Sequence, residues 1–151
     1  MTKTIDQLDL KILHVLKANS KSSMNQISKK LLIPITTAHN RIKKLEKTGI
    51  IKNYTIILNN KKLGKDLCAF ILIKIDYTAL KSKNLSQQEV AMRLKSREEV
   101  EDAALITGLK DIILKIRAHN IDELNNFITK DLRNFAGVKS TETMIVLDEL
   151  N

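Results

Sequence analysis

The chain has 151 residues, 43% of them hydrophobic and 28% charged, a composition that excludes a mainly disordered protein. A single cysteine, Cys68, excludes an intrachain disulfide. The N-terminal stretch MTKTIDQLDLK lacks the apolar core of a signal peptide, and no apolar run is long enough to cross a bilayer, so we expect a cytoplasmic protein.

The formal net charge of +9 is concentrated in the first part of the chain. Residues 1–62 carry 13 Lys and Arg against 3 Asp and Glu, a net charge of +10, whereas residues 63–151 carry 13 against 14, a net charge of −1. A basic segment of this kind is typical of a protein that binds nucleic acid. A merely solvated basic surface has the same composition, so the residue pattern must decide.

Two short helices are predicted first. Residues 4–7 (Thr-Ile-Asp-Gln) have the form of a capping box, and apolar residues then recur at helical spacing as far as Ala18. Ser23 and Gln26 repeat the capping signature at the start of the second helix.

A third helix is predicted from Ile35 to Thr48. Pro34 suits the entry to a helix, and Gly49 is a typical C-cap. A turn of about three residues separates this helix from the second one. That arrangement is a helix-turn-helix, which presents its second helix to a groove of double-stranded DNA.

The two faces of this third helix, the recognition helix, differ in chemistry. Ala38, Ile42 and Leu45 share one face with Ile35 beside them. The opposite face and its flanks are polar and basic and carry Thr36, Thr37, His39, Asn40, Lys43, Lys44 and Lys47. A helix merely exposed to water would interleave acids with bases.

The side-chain chemistry assigns roles on that face. Lys43, Lys44 and Lys47 are suited to phosphate contacts, which give affinity without sequence information. The polar groups nearer the helix N-terminus are suited to base edges; these are Thr36, Thr37, His39 and Asn40. Arg41 has two interpretations, a phosphate contact or an ion pair with a carboxylate such as Asp9 or Glu46.

A connector follows the basic part. Ile50 to Leu58 is rich in β-branched residues and reads as extended, and the polar run from Asn59 to Gly64 interrupts it. We therefore expect a DNA-binding domain over residues 1–50, a connector over 51–64 and a second domain over 65–151.

The second domain shows the order βαββαβ, which is the ferredoxin-like arrangement of an α+β protein. The start signals of its helices are Ser86 with Glu89 and Asn120 with Glu123. The predicted elements are strands 67–77, 100–106, 112–118 and 138–147 and helices 87–95 and 121–134.

The strands of this domain lack the alternation expected when one sheet face meets water. Leu67 to Ile73 is continuously apolar, and Ile112 to Ile116 is nearly so. Both faces therefore require burial, and we expect the uncovered face to pack against a second copy in a symmetric dimer. Such a dimer would place two recognition helices on a palindromic site.

An enzymatic function is not expected. His14, His39 and His119 share no spacing suited to a metal or haem, and no nucleophile motif, glycine-rich loop or carboxylate pair is present. We expect Cys68 to be a core residue and predict no cofactor and no metal.

The chain resembles the Lrp/AsnC family of prokaryotic transcription regulators. The resemblance rests on short motifs in order: residues 5–9 (IDQLD), 41–46 (RIKKLE), 49–51 (GII), 63–64 (LG), 107–108 (TG) with Asp111, and 137–138 (GV) with Thr141 and Thr143. The sequence departs from the family at Pro34, which replaces a usual serine cap, and at Lys110 and Ile112, where aromatic residues are frequent.

The resemblance implies a winged-type helix-turn-helix joined to a ferredoxin-like domain, dimers that assemble into larger even-numbered oligomers, and regulation by an amino acid or a similar small metabolite. It places effector contacts at Gly108, Asp111, Thr141 and Thr143. Gly108 also has a simpler interpretation, the shaping of a hairpin.

The expected function is therefore sequence-specific regulation of transcription. The alternatives are an architectural, chromatin-like protein that binds DNA with little sequence preference and, less favoured, an enzyme resembling decarboxylases of haem biosynthesis.

Overall fold

A computed structural model describes residues 5–149. The chain divides between Leu58 and Asn59 into two compact units. This boundary falls inside the predicted connector, and each unit has its own hydrophobic core.

The first unit contains three helices, α1 (Gln7–Ala18), α2 (Met24–Leu31) and α3 (Ile35–Lys47). Their buried faces form one core from Ile12, Val15, Leu16, Ile27, Ala38, Ile42 and Leu45. Ile35, which was expected beside this core, is the first residue of α3 and is 48% exposed instead.

The helix starts test the predicted caps. Ser23 and Gln26 form the expected capping box at α2. At α1 the prediction was wrong: the cap is Asp6, whose carboxylate accepts from the backbone N–H of Asp9 at 2.9 Å. Thr4 itself lies outside the described residues. Aspartate is as good an N-cap as threonine, and its negative charge also suits the positive end of the helix dipole.

The second unit begins with a 3₁₀ turn (Asn60–Leu63) and contains a four-stranded antiparallel sheet. Its strands are β1 (Leu67–Ile75), β2 (Val100–Leu105), β3 (Ile112–Ala118) and β4 (Val138–Ile145). They lie in the order β2-β3-β1-β4, the sheet order that a ferredoxin-like chain produces.

Three helical segments accompany this sheet: α4 (Tyr77–Ser82), α5 (Gln87–Lys95) and α6 (Ile121–Asn126), which continues as a π-helical turn (Phe127–Leu132). The sequence analysis missed α4 and extended β1 over its first residue. Asp76 ends the strand and caps this helix by accepting from the backbone N–H of Ala79 at 3.0 Å.

The two faces of the sheet are unequal. Alternate residues of β1 and β3, such as Ile71, Ile73 and Leu114, are fully buried in the core with the helices. The intervening Phe70, Leu72 and Ile113 are only half-buried and lie outside that core. The second face is therefore apolar along its centre, as expected.

Cys68 is buried, as predicted, but it lies on this second face and outside the cluster that packs against the helices. It is 3% exposed and pairs in register with Arg117, whose Nη2 donates to Glu149 at 2.7 Å. Burial raises the pKa of the Cys68 thiol. The side chain is therefore covered by a charged group of its own chain.

Gly137 provides a test of packing in the second unit. Its φ is +91°, and a Cβ there would collide with the side chain of buried Leu80. We expect Gly137→Ala to lower the free energy of unfolding by about 2–4 kcal/mol, from backbone strain and overpacking together. Gly64→Ala is the matched control, since its φ is +73° and its nearest neighbour lies at 3.7 Å; it should cost about 1–2 kcal/mol. Equal losses in urea unfolding would contradict the packing argument.

Candidate functional site

The recognition helix α3 begins without a side-chain cap. Pro34 occupies the N-cap position and makes no such hydrogen bond. The preceding turn is held instead by Ser28, whose hydroxyl donates to the carbonyl of Ile33 at 2.5 Å. Leu32 has a left-handed φ of 54° at the end of α2. The Ser28 hydrogen bond and the left-handed backbone of Leu32 keep the turn at three residues, although no polar side chain caps α3.

One face of α3 is buried and the other is available to a partner. Ala38, Ile42 and Leu45 are at most 3% exposed. Five side chains of the polar face are exposed and Thr37 is half-buried; the exposed residues are Thr36, His39, Asn40, Lys43 and Lys47. Within residues 5–149 none of these six side chains forms an ion pair or hydrogen bond. Their polar groups are free to bind an external ligand.

Arg41 and Lys44 differ from the other bases on α3. Arg41 Nη1 contacts the carboxylates of Asp6 and Asp9, the latter at 3.1 Å, and Lys44 Nζ lies 3.4 Å from Asp9. Hydrogen bonds to Asp6 and Asp9 raise the pKa of Arg41, and the N–H of Asp9 together with Arg41 lowers the pKa of Asp6. Of the two interpretations of Arg41, the ion pair with Asp9 is the one present, while Glu46 accepts from Tyr54 at 2.8 Å.

In the second unit, Asp111 organises the loop between β2 and β3. Its carboxylate accepts from the backbone N–H of Ile75 at 2.9 Å and from the hydroxyl of Tyr77 at 2.8 Å, and it lies 3.1 Å from Lys74 Nζ. The residue is 7% exposed. Burial raises the pKa of Asp111, but these three donors outweigh it and hold the pKa below its ordinary value.

The backbone of Asp111 is equally occupied. Its N–H donates to Ile73 at 2.8 Å, and its carbonyl accepts from Ile106 at 2.9 Å and from the Gln87 side chain at 3.0 Å. Asp111 therefore joins β1, α4, α5 and its own loop. Sequence reasoning did not identify Tyr77 and Gln87 as its partners, because both are more than 20 residues away in the chain.

The other predicted effector residues lie near the same end of the sheet. Ile73 pairs with Ile112 on one side and with Thr141 on the other, and Thr143 pairs with Ile71 one step further along. Gly108 lies in the β2–β3 loop with a φ of +118° and no neighbour within 4 Å of an added Cβ.

An ion pair links this loop to β4, and the start of β4 lines an open groove. Lys110 Nζ lies 3.1 Å from Glu142 on β4, so the loop and that strand are linked across β1. On β4, Thr141 lines an open groove of about 410 Å³ together with Arg133, Val138, Lys139 and Ser140. This lining is polar and basic.

Within residues 5–149, no group of three or more His, Cys, Asp or Glu side chains could hold a metal ion. Across residues 5–149, no helix is both long enough and apolar enough to cross a membrane.

The fold and the site define a DNA-binding transcriptional regulator with a separate ligand-binding domain. Residues 5–52 match the winged helix-turn-helix DNA-binding family, and residues 68–151 match the Lrp/AsnC ligand binding domain. The chain belongs to the Lrp/AsnC family. Members of this family are regulators of transcription, not enzymes.

Individual relatives agree over almost the whole chain. An uncharacterised helix-turn-helix regulator of Pyrococcus abyssi is 38% identical and covers 98% of this chain and 96% of its own. The regulatory protein AsnC of Haemophilus influenzae is 36% identical over 93% and 90%. A Neisseria meningitidis transcriptional regulator solved with L-methionine superposes with a TM-score of 0.88 at 26% identity, covering 98% and 93%.

The lowered pKa of Asp111 predicts how the stability of the protein changes at acidic pH. Its pKa is lowered in the folded protein, so its contribution is present above the unfolded-state pKa of about 4 and is lost as the pH falls through the folded value. Asp111→Asn cannot satisfy three donors, and we expect it to lower the free energy of unfolding by about 2 kcal/mol at pH 7.

The variant should also lose less stability than the parent between pH 4 and pH 2, measured by urea unfolding at each pH. Asp122→Asn is the control, because this acid of α6 is exposed and makes no ion pair or side-chain hydrogen bond within residues 5–149. If Asp111→Asn loses as much free energy of unfolding as the parent between pH 4 and pH 2, the role assigned to Asp111 in acid stability is contradicted.

Proposed function

We propose that the chain is a sequence-specific regulator that reads double-stranded DNA with the exposed polar face of α3. The observation that carries the proposal is the contrast within this helix: Ala38, Ile42 and Leu45 are buried, whereas the six polar side chains described above form no ion pair or hydrogen bond within residues 5–149. Cations held free on a rigid helix attract phosphates, and short polar groups near its N-terminus suit base edges.

The roles on this face follow from position and chemistry. Lys43 and Lys47 contact phosphates, whereas Asn40 and His39, with Thr36 and Thr37, approach base edges from the first two turns of α3. Arg41 and Lys44, which the sequence also nominated, face the acids of α1 instead.

We further propose a homodimer through the uncovered sheet face, which would place two recognition helices on a palindromic site. The half-buried strip of Phe70, Leu72 and Ile113, extended by Met144 at 44% exposure, supports this pairing. Larger even-numbered oligomers and a cytoplasmic location complete the proposal; one buried cysteine without a disulfide agrees with reducing surroundings.

The effector in this proposal is an amino acid or similar metabolite at the β2–β3 loop and the start of β4. The L-methionine complex of the Neisseria relative supports this class of ligand. Gly108 leaves room for a close approach, Thr141 and Thr143 supply hydroxyls, and Asp111 holds the loop in place through its saturated carboxylate.

DNA recognition is tested with two substitutions. Asn40→Ala should reduce the preference for a selected palindrome over random DNA by about 5- to 100-fold, whereas Lys47→Ala should weaken binding to both DNAs and reduce the slope of log K against log salt by about 0.9. Fluorescence anisotropy over a salt series measures both quantities.

The matched controls are Asn126→Ala and Lys130→Ala, exposed residues of the second unit. Equal affinity of the parent for palindrome and random DNA at every salt concentration would overturn specific recognition and favour an architectural, chromatin-like protein.

Effector binding is tested by selecting bound sequences from random DNA with and without a panel of amino acids. At least one amino acid should change DNA affinity and, at a hundredfold excess over its Kd, stabilise the protein by about 2.7 kcal/mol in thermal unfolding. Thr141→Val should abolish that response, whereas Thr55→Val, at an exposed threonine of the first unit, should retain it. A full response in Thr141→Val would remove this residue from the site.

A further inference from the structure

We infer that Asp6 and Asp9 form a clamp that fixes the orientation of the recognition helix, with Arg41 and Lys44 as its positioning residues. The inference rests on the proposed DNA recognition by α3 and assigns two of its bases a different role. Asp6 caps α1 and Asp9 lies in its first turn, whereas Arg41 lies in the middle of α3 and Lys44 in its last turn. The clamp therefore joins residues more than 30 positions apart.

The centre of the clamp is a buried charge. The Asp9 side chain is 1% exposed, and its carboxylate lies 3.1 Å from Arg41 and 3.4 Å from Lys44. A carboxylate removed from water is strongly unfavourable unless cations and donors surround it. Asp9 therefore requires α3 to keep both bases turned toward α1.

The clamp restricts rotation of α3. Arg41 and Lys44 are three residues apart and lie on neighbouring positions of one helix surface. Rotation in either direction would lengthen at least one of the two contacts with Asp9. Apolar packing by Ala38, Ile42 and Leu45 is not directional in this way. The ion pairs thus decide the direction in which Asn40 and Lys43 point.

The same contacts determine which bases of α3 can neutralise DNA phosphates. Two acids and two bases make the clamp neutral as a group, whereas Lys43 and Lys47 have no acid partner within residues 5–149. Salt dependence of DNA binding measures the cations that neutralise phosphates. Arg41 and Lys44, already neutralised inside the protein, should not contribute to it.

The experiment compares Arg41→Met with Lys43→Met in the full-length protein, using one selected palindrome and one random duplex. Arg41→Met should leave the slope of log K against log salt unchanged and reduce the preference for the palindrome at least fivefold. Lys43→Met should reduce the slope by about 0.9 with little change in preference. Asp9→Asn should reproduce the loss of preference, also without a reduced slope.

Two results would overturn the clamp. A slope reduced by about 0.9 in Arg41→Met, with equal weakening on both duplexes, would make Arg41 a phosphate contact. Unchanged slope and preference would make the ion pairs structural only.

Circular dichroism first confirms folding, and Lys44→Met serves as a second variant because it leaves the Asp9–Arg41 pair in place. If Lys43→Met and Lys47→Met also leave the slope unchanged, the proposed DNA face itself fails.

Discussion

Charges removed from water need partners of opposite sign, and this requirement organises both halves of the molecule. Among the described residues, the buried charged side chains are Asp9, Asp111 and Arg117. Each draws partners from distant segments: α3 reaches Asp9, β1 and α4 reach Asp111, and β2 and the C-terminal segment reach Arg117. Directional contacts of this kind select one arrangement of elements that apolar packing alone would leave adjustable.

The buried acids lie beside the two surfaces that we propose for DNA and effector. Asp9 supports the proposed recognition helix, and Asp111 supports the loop nearest the proposed effector site. In both cases the carboxylate is occupied by the protein's own donors, so its contribution is to hold neighbouring groups in place. The proposed role of Asp111 is therefore to position its loop, since three donors already occupy its carboxylate.

On the uncovered face of the sheet, charged side chains are also paired with opposite charges. Its centre is apolar, which suits a second copy, but one end carries Lys115 and Arg117, paired with Glu101 and Glu149. Glu149 lies beyond the end of β4, so the C-terminal segment supplies one of the acids that pair with Lys115 and Arg117 at this end of the face. An apolar strip bounded by paired charges limits where a partner could pack, since unpaired like charges across an interface are unfavourable.

Features set by a few neighbouring residues, such as helix caps, were mostly predicted from the sequence, whereas contacts between distant residues were not. The Ser23 and Ser86 caps were predicted because a capping box is complete within four residues. The cap of α1 was predicted wrongly because Thr4 and Asp6 both precede a stretch compatible with a helix. Only the folded chain shows that the Asp6 carboxylate accepts the hydrogen bond from the backbone of the helix. The short α4 was missed because six residues give too little periodicity to recognise.

The sequence by itself determined the order of elements, the division into a basic and a neutral half, and the polar face of α3, because periodicity and composition are local properties. Only the tertiary structure decided that Arg41 and Lys44 turn toward Asp9, that the Asp111 carboxylate has three donors, and that buried Cys68 lies on the second face of the sheet. Those outcomes depend on side chains brought together from distant parts of the chain, and spacing along the sequence carries no record of such contacts.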